Sequence, residues 1–185
     1  MLPPAASPRR TGGDAVIVIA LGANLPTERY GPAQLGLEAA LRRLGGFGVA
    51  VIQRSNWYLS APYPPSDQPM YVNGVAQVES GLSPAALMAV LLRIEIDFGR
   101  RRSKLNAARV MDLDLIDFDG RILDRAADEN GPAIRLPHPR LSRRAFVLLP
   151  LQEIAPGWCH PEDGQHIEDL ITALPEGQKI DLLES

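Results

Sequence analysis

VMDLDLIDF, residues 110–118, is rich in branched and aromatic side chains and sets two acids among apolar neighbours at every second position. That period of two predicts a β-strand. Side chains on a strand alternate between faces, so Asp112 and Asp114 project together, about 7 Å apart along the chain. Leu113 and Leu115 then turn to the core. Two carboxylates so close repel, and each resists ionisation unless a cation sits between them. Magnesium suits such a pair because it prefers hard oxygen ligands and keeps water and phosphate oxygens in its shell.

Just upstream, RRRSKLNAAR (100–109) places five of the chain's nineteen Lys and Arg within ten positions. Arginines neutralise phosphate oxygens through forked hydrogen bonds, and carboxylates hold the metal that accompanies them. The juxtaposition therefore points to polyphosphate chemistry, which needs positioning and charge neutralisation. A plainer reading stands beside it: an Asp-x-Asp next to arginines also describes a solvated sheet face closed by salt bridges, and alone this is the commoner case. No GxxxxGK[ST] and no GxGxxG occurs, so a glycine cradle for phosphate is excluded.

Ahead of the basic loop, Ser83 and Pro84 open a helix whose Leu87, Leu91, Ile94 and Phe98 share one face, and Gly99 ends it. Tyr71–Glu79 and Val49–Leu59 read as strands, separated by the proline-rich loop SAPYPPSDQP (60–69). Pro32–Leu44 reads as a helix stopped by Gly45-Gly46. AVIVIAL (15–21) reads as a central strand buried on both faces, followed by the turn GANLP. Downstream of Asp119-Gly120 come a short strand at 121–123 and a loose loop at 124–135. A helix over 142–154, interrupted or ended near Pro150, and a weak helix at 165–174 follow.

The order β, α, β, β, α, β predicts an α+β domain with a ferredoxin-like βαββαβ core, its sheet mixed or antiparallel with helices gathered on one face. An additional short strand and C-terminal helices extend it to an α/β/α layering. Residues 1–14 are expected as a disordered tail, 15–175 as one catalytic domain, and 176–185 as a C-terminal tail.

A net charge of −3 argues against a nucleic-acid coat, and 45% hydrophobic residues suffice for one core. Cys159 is the single cysteine, so there is no internal disulfide. The apolar run 15–21 is too short to span a bilayer, and no signal peptide is evident. The expectation is a cytoplasmic protein, a monomer with small-molecule partners and neither nucleic-acid nor membrane partners. Cys159 with His160 finds no third ligand at metal spacing, and Trp57 and Trp158 read as packing residues.

Four segments in order tip the balance between the two readings of the acidic pair: IALGANL (19–25), YLSAPYPPSDQPMYVNGV (58–75), RIEIDFGRRRSKLNAARVMDLDLIDFDG (93–120) and LPHPRLSRRAFVLLPLQEIAP (136–156). Together they resemble the 6-hydroxymethyl-7,8-dihydropterin pyrophosphokinase family, across roughly residues 15–160. The resemblance implies transfer of pyrophosphate from ATP, the co-substrate, to the pterin hydroxymethyl group, with AMP released and two Mg2+ ions on Asp112 and Asp114. It implies a catalytic role for Arg100 and Arg109, and nucleotide contacts at Arg102, His138, Arg144 and Glu95. Tyr71, Asn73 and Phe146 would form the pterin pocket, with backbone groups of Ser60, Ala61 and Tyr63 on its edge. Tyr71 and Phe146 would clasp the flat ring between aromatic faces. The chain departs from the pattern where relatives carry Trp-Gly-Pro: it reads Asn106-Ala107-Ala108, one residue shorter. Two other functions stay open on the residues: an RNA-binding module built on the same sheet, and a relative that binds nucleotide without turnover.

Overall fold

The computed structural model of the chain describes residues 16–63, 65–100, 108–128 and 131–184. The expected N-terminal tail at 1–14, Arg102 and most of the basic loop lie outside these residues. The strands are β1 (Ile17–Ala23), β2 (Val49–Arg54), β3 (Tyr58–Ser60), β4 (Tyr71–Ser80), β5 (Asp112–Phe118), β6 (Leu123–Arg125), β7 (Ile134–Leu136) and β8 (Ile180–Leu182). The helices are α1 (Ala33–Leu44), α2 (Pro84–Asp97), α3 (Ala145–Ile154) and α4 (Ile167–Thr172).

The main sheet runs β5-β1-β4-β3-β8, with β2 also on β4, and all its pairings are antiparallel. β1 is flanked on both sides, which explains its unbroken apolar run: side chains on both faces are buried. On one face, Ile19, Leu21, Leu113 and Leu115 pack against Leu37, Leu41 and Leu44 of α1 and Leu87, Leu91 and Ile94 of α2. On the other, Val18, Val75 and Ile116 pack against Val147, Leu148 and Leu151 of α3 and Ile167 and Leu170 of α4. Helices thus cover both faces, which corrects the expected gathering on one face, and the sheet is the middle of the expected α/β/α layers. Each fully buried aliphatic side chain contributes about 1.5–3 kcal/mol to that arrangement. Among the described residues no helix is long and apolar enough to cross a membrane.

Local chemistry sets the element ends. Ser83 Oγ accepts the Ala86 N–H at 3.2 Å and Pro84 occupies the first turn of α2. After α1, residues 45–47 tighten into a 3₁₀ turn, and Gly48 leaves it in the left-handed region at φ 73°.

Four further expectations are corrected. The strand expected over 49–59 is two strands: Ser55 Oγ takes the Val75 N–H at 3.0 Å, and Trp57 folds over Gly74. A Cβ on residue 74 would lie 2.7 Å from the Trp57 ring, so only glycine admits that indole. The loose loop expected at 124–135 contains the ladder of β6 with β7, Leu123 opposite Leu136. The helix expected at 142–154 begins as a 3₁₀ turn at Leu141–Arg143, and α3 carries Pro150 inside it without breaking. The C-terminal stretch expected as a tail adds β8 to the sheet, with Leu59 opposite Asp181.

One irregularity matters for the site. Between β1 and β5, Ile19 faces Leu115 but Val18 faces Asp117, so Ile116 is an extra residue in the ladder. This bulge lets Ile116 and Asp117 both address the α3 layer. Ile116 fills the core there, while Asp117 accepts Trp158 Nε1–H at 2.7 Å.

Candidate active site

At the end of β1 the chain passes from Ala20 through Gly22 to Asn24, and its neighbours in the ladder bring the expected residues together. Ala20 pairs with Asp114 and Gly22 with Asp112 on one side, while Gly22 pairs with Asn73 on the other. Asp112 and Asp114 share a face, as their spacing required, with side chains 27% and 28% exposed. They open on a cleft walled by the β3–β4 loop, the start of α3 and the sheet. The cleft is lined by Ser60, Ala61, Tyr63, Tyr71, Asn73, Arg109, Arg144 and Phe146, together with both aspartates. Ten of the fourteen expected site residues therefore meet in one place.

Each aspartate has its own cations. Asp112 pairs with Arg109 and, at 3.0 Å, with Arg100. Asp114 lies 3.4 Å from Arg144 and 3.7 Å from His138 Nε2. The salt-bridged reading of the acidic pair is thus realised, yet around an open cleft and not in a dry core. Burial and the neighbouring Asp114 push the Asp112 carboxyl up, and the Arg109 and Arg100 charges only partly oppose this. A divalent cation beside the pair would favour the charged form. Burial holds His138 below its ordinary value, against the pull of Asp114. Arg144 is lowered by burial, which outweighs Asp114. For Arg109 burial acts downward, but Asp112 outweighs it and the guanidinium is raised.

Glu95, expected among the nucleotide contacts, does not line the cleft. It is 1% exposed on α2, where it accepts the Leu113 N–H at 2.7 Å and binds Arg100. Position 95 falls on the helix face turned to the sheet, so its carboxylate acts from beneath. Arg102 lies outside the described residues. His138 reaches the site through Asp114; its own N–H donates to the Ile116 carbonyl at 2.9 Å, fixing the cis-proline segment 136–138 to β5.

Sequence reasoning missed three contributors. Arg140 and Gln68 line the cleft; both stood inside quoted segments, with nothing in their spacing to single them out. Asn24 is 5% exposed and joins three segments. Its Oδ1 accepts the Arg109 N–H at 2.7 Å, and its Nδ2 donates to Gln68 Oε1 and to the Pro69 carbonyl, each at 3.2 Å. On the wall formed by β3 and β4, Asn73 Nδ2 donates to Ser60 Oγ at 2.9 Å, and Tyr71 Oη lies 3.4 Å from Gln68 Oε1. A Cβ at position 22 would come within 3.2 Å of Asn73 Oδ1, so glycine there leaves that amide its room.

Comparison with known proteins places the chain in a family. Residues 18–156 match the family 7,8-dihydro-6-hydroxymethylpterin-pyrophosphokinase (HPPK). The chain is 39% identical over 155 residues to the 2-amino-4-hydroxy-6-hydroxymethyldihydropteridine pyrophosphokinase of Synechocystis, covering 83% of this chain and 73% of that protein. It is 38% identical over 159 residues to the enzyme of the same name from Pseudomonas aeruginosa, covering 86% and 91% respectively. Among solved structures it resembles wild-type HPPK-DHPS of Plasmodium falciparum with STZ-DHP, at a TM-score of 0.67 and 14% identity. That overlap covers 85% of this chain but spans only 43% of the Plasmodium chain, so it speaks for the fold alone. With the family model matching over most of its length, the chain belongs to the 7,8-dihydro-6-hydroxymethylpterin-pyrophosphokinase family.

Proposed function

We propose that the chain transfers pyrophosphate from ATP to the hydroxymethyl group of 6-hydroxymethyl-7,8-dihydropterin, releasing AMP, in folate biosynthesis. The observation that carries this is the cleft itself: a carboxylate pair and a ring of arginines on one side, and an aromatic and amide-lined pocket on the other. The element order and all-antiparallel pairing support a ferredoxin-like core beneath it.

In this reading Tyr71 and Phe146 hold the pterin ring, and Asn73 meets its mixed donor and acceptor edge. Asn73 is set for this by Ser60, whose hydroxyl takes one amide proton. Arg109, Arg144 and Arg140 face the triphosphate, with Arg102 as a further contact from the basic loop. Arg100 reaches the site through Asp112. The substrate oxygen forms a bond to the β-phosphorus, the bond from that phosphorus to the α-phosphate bridging oxygen breaks, AMP leaves, and the hydroxyl proton passes to solvent. With the acceptor held in line, positioning and charge neutralisation carry the reaction and no general base is assigned.

The donor set fits Mg2+: two carboxylates facing a solvent-open cleft, one of them pushed up by burial and by its carboxylate neighbour, with room left for phosphate oxygens. Asp112 and Asp114 would hold two such ions, which supply charge neutralisation on the β- and γ-phosphates. Incubation with Mg2+, ATP and the pterin alcohol should yield AMP in step with pterin pyrophosphate. ADP as the product, or no product, would contradict the proposal.

A further inference from the structure

The segment after α4 reaches back to the mouth of the cleft. Gly177 turns in the left-handed region at φ 85° and delivers Gln178 to the start of α3. There the side-chain amide closes both halves of a peptide-like pair. Gln178 Oε1 accepts the Ala145 N–H at 3.0 Å, and Gln178 Nε2 donates to the Arg143 carbonyl at 3.0 Å. The residue spanned by this clamp is Arg144, which caps α3 without any side-chain cap of its own. Arg144 reaches Asp114, and Phe146 two positions on lines the cleft.

The clamp is itself anchored. β8 pairs with β3, and the Leu183 N–H donates to the Trp57 carbonyl at 2.8 Å, with Leu183 packed on the main core. A second cavity lies between this segment and the β3–β4 loop, and Ser60, Tyr63 and Phe146 wall both it and the main cleft. The ring of Phe146 thus stands as a partition between the two cavities, packed in part against the core on the α3 face and 5.3 Å from the Arg144 guanidinium. The backbone turn that Gln178 holds carries both Arg144 and Phe146.

We propose that Gln178 is a positioning residue: it sets Arg144 and Phe146 together, and so couples the nucleotide and pterin halves of the site from the C-terminal segment. This rests on the pyrophosphokinase reading above. The test compares Gln178→Met, which keeps length and loses both bonds, with Gln178→Glu, which keeps the acceptor for Ala145 at a helix N-terminus that favours negative charge. Gln178→Met should raise KM for both MgATP and the pterin alcohol about fivefold each, with kcat changed less. Gln178→Glu should recover part of both, and both variants should unfold within a few degrees of the unsubstituted enzyme. Unchanged KM values in Gln178→Met, or equal rises in the two variants, would overturn the clamp. An unsubstituted enzyme that makes no AMP would instead overturn the functional reading; the clamp is then judged by calorimetric binding of a non-hydrolysable ATP analogue, which Gln178→Met must still weaken.

Discussion

The carboxylate of Glu95, on α2, accepts the backbone N–H of Leu113 at 2.7 Å, the residue between Asp112 and Asp114. Among the described residues β5 is the outer strand of its sheet, so that N–H has no strand partner there, and a buried amide without one is costly. Glu95 supplies it and also holds Arg100, which in turn pairs with Asp112. One helix residue thereby fixes the strand and a guanidinium that its acid needs.

Burial pushes the Glu95 carboxyl up to about 7, while the Leu113 N–H and Arg100 pull it down. Its value in the folded state is raised, so the stability it contributes is present below its ordinary value and lost as pH rises toward about 7. Glu95→Gln removes that titration. Relative to the variant, the unsubstituted protein should lose on the order of 1–3 kcal/mol between about pH 4.5 and pH 7.5. Urea midpoints across that range measure it; parallel curves for the two proteins would refute it.

Asp112 is held up by burial and by Asp114, so its charge is tolerated for function and not for stability. Asp112→Asn should leave the thermal midpoint at pH 7 within a few degrees and lower turnover by about a thousandfold, the scale of lost metal-ion stabilisation. Asp114→Asn should do the same to turnover. A variant that unfolds yet turns over normally when refolded would reverse this assignment.

Asn24 ties the Arg109 backbone to Gln68 and Pro69 from a buried position. Asn24→Ala should cost about 2 kcal/mol in unfolding free energy, because it strands buried groups. Asn24→Asp keeps the acceptor for Arg109 and loses both donated bonds. Its defect should therefore show mainly as a higher KM for the pterin, if the part of the cleft lined by Gln68 and Tyr71 takes that ring as proposed. Steady-state kinetics with each substrate varied in turn will show whether that split occurs.

Tyr71→Ala and Phe146→Ala should each raise the pterin KM about tenfold or more and leave the ATP KM nearly unchanged, since each removes one aromatic face. An equal rise for both substrates would place these rings elsewhere in the mechanism.

Much of the fold was legible because periodicity reports burial. The acid–apolar alternation of 112–115 put both aspartates on one face, and the steps between Leu87, Leu91 and Ile94 put α2 on the core. What could not be read depended on partners far along the chain. The break after Arg54 follows from Trp57 seeking Gly74, and the β5 bulge follows from Trp158 claiming Asp117. β8 is three residues whose strand character comes from the open edge of β3. In the site, the side chains that line the cleft sit in recognisable segments. Asn24, Glu95 and Gln178 act through backbone groups elsewhere, and no local pattern marks that role.

In the proposed reaction Asp112 and Asp114 seat the metal that carries the triphosphate. Calorimetric titration with a non-hydrolysable ATP analogue, with and without Mg2+, tests it most directly. The unsubstituted protein should bind the analogue tightly only when Mg2+ is present, and the double variant Asp112→Asn, Asp114→Asn should lose that dependence together with most of the affinity. Equal Mg2+-dependent binding in the two proteins would contradict the account.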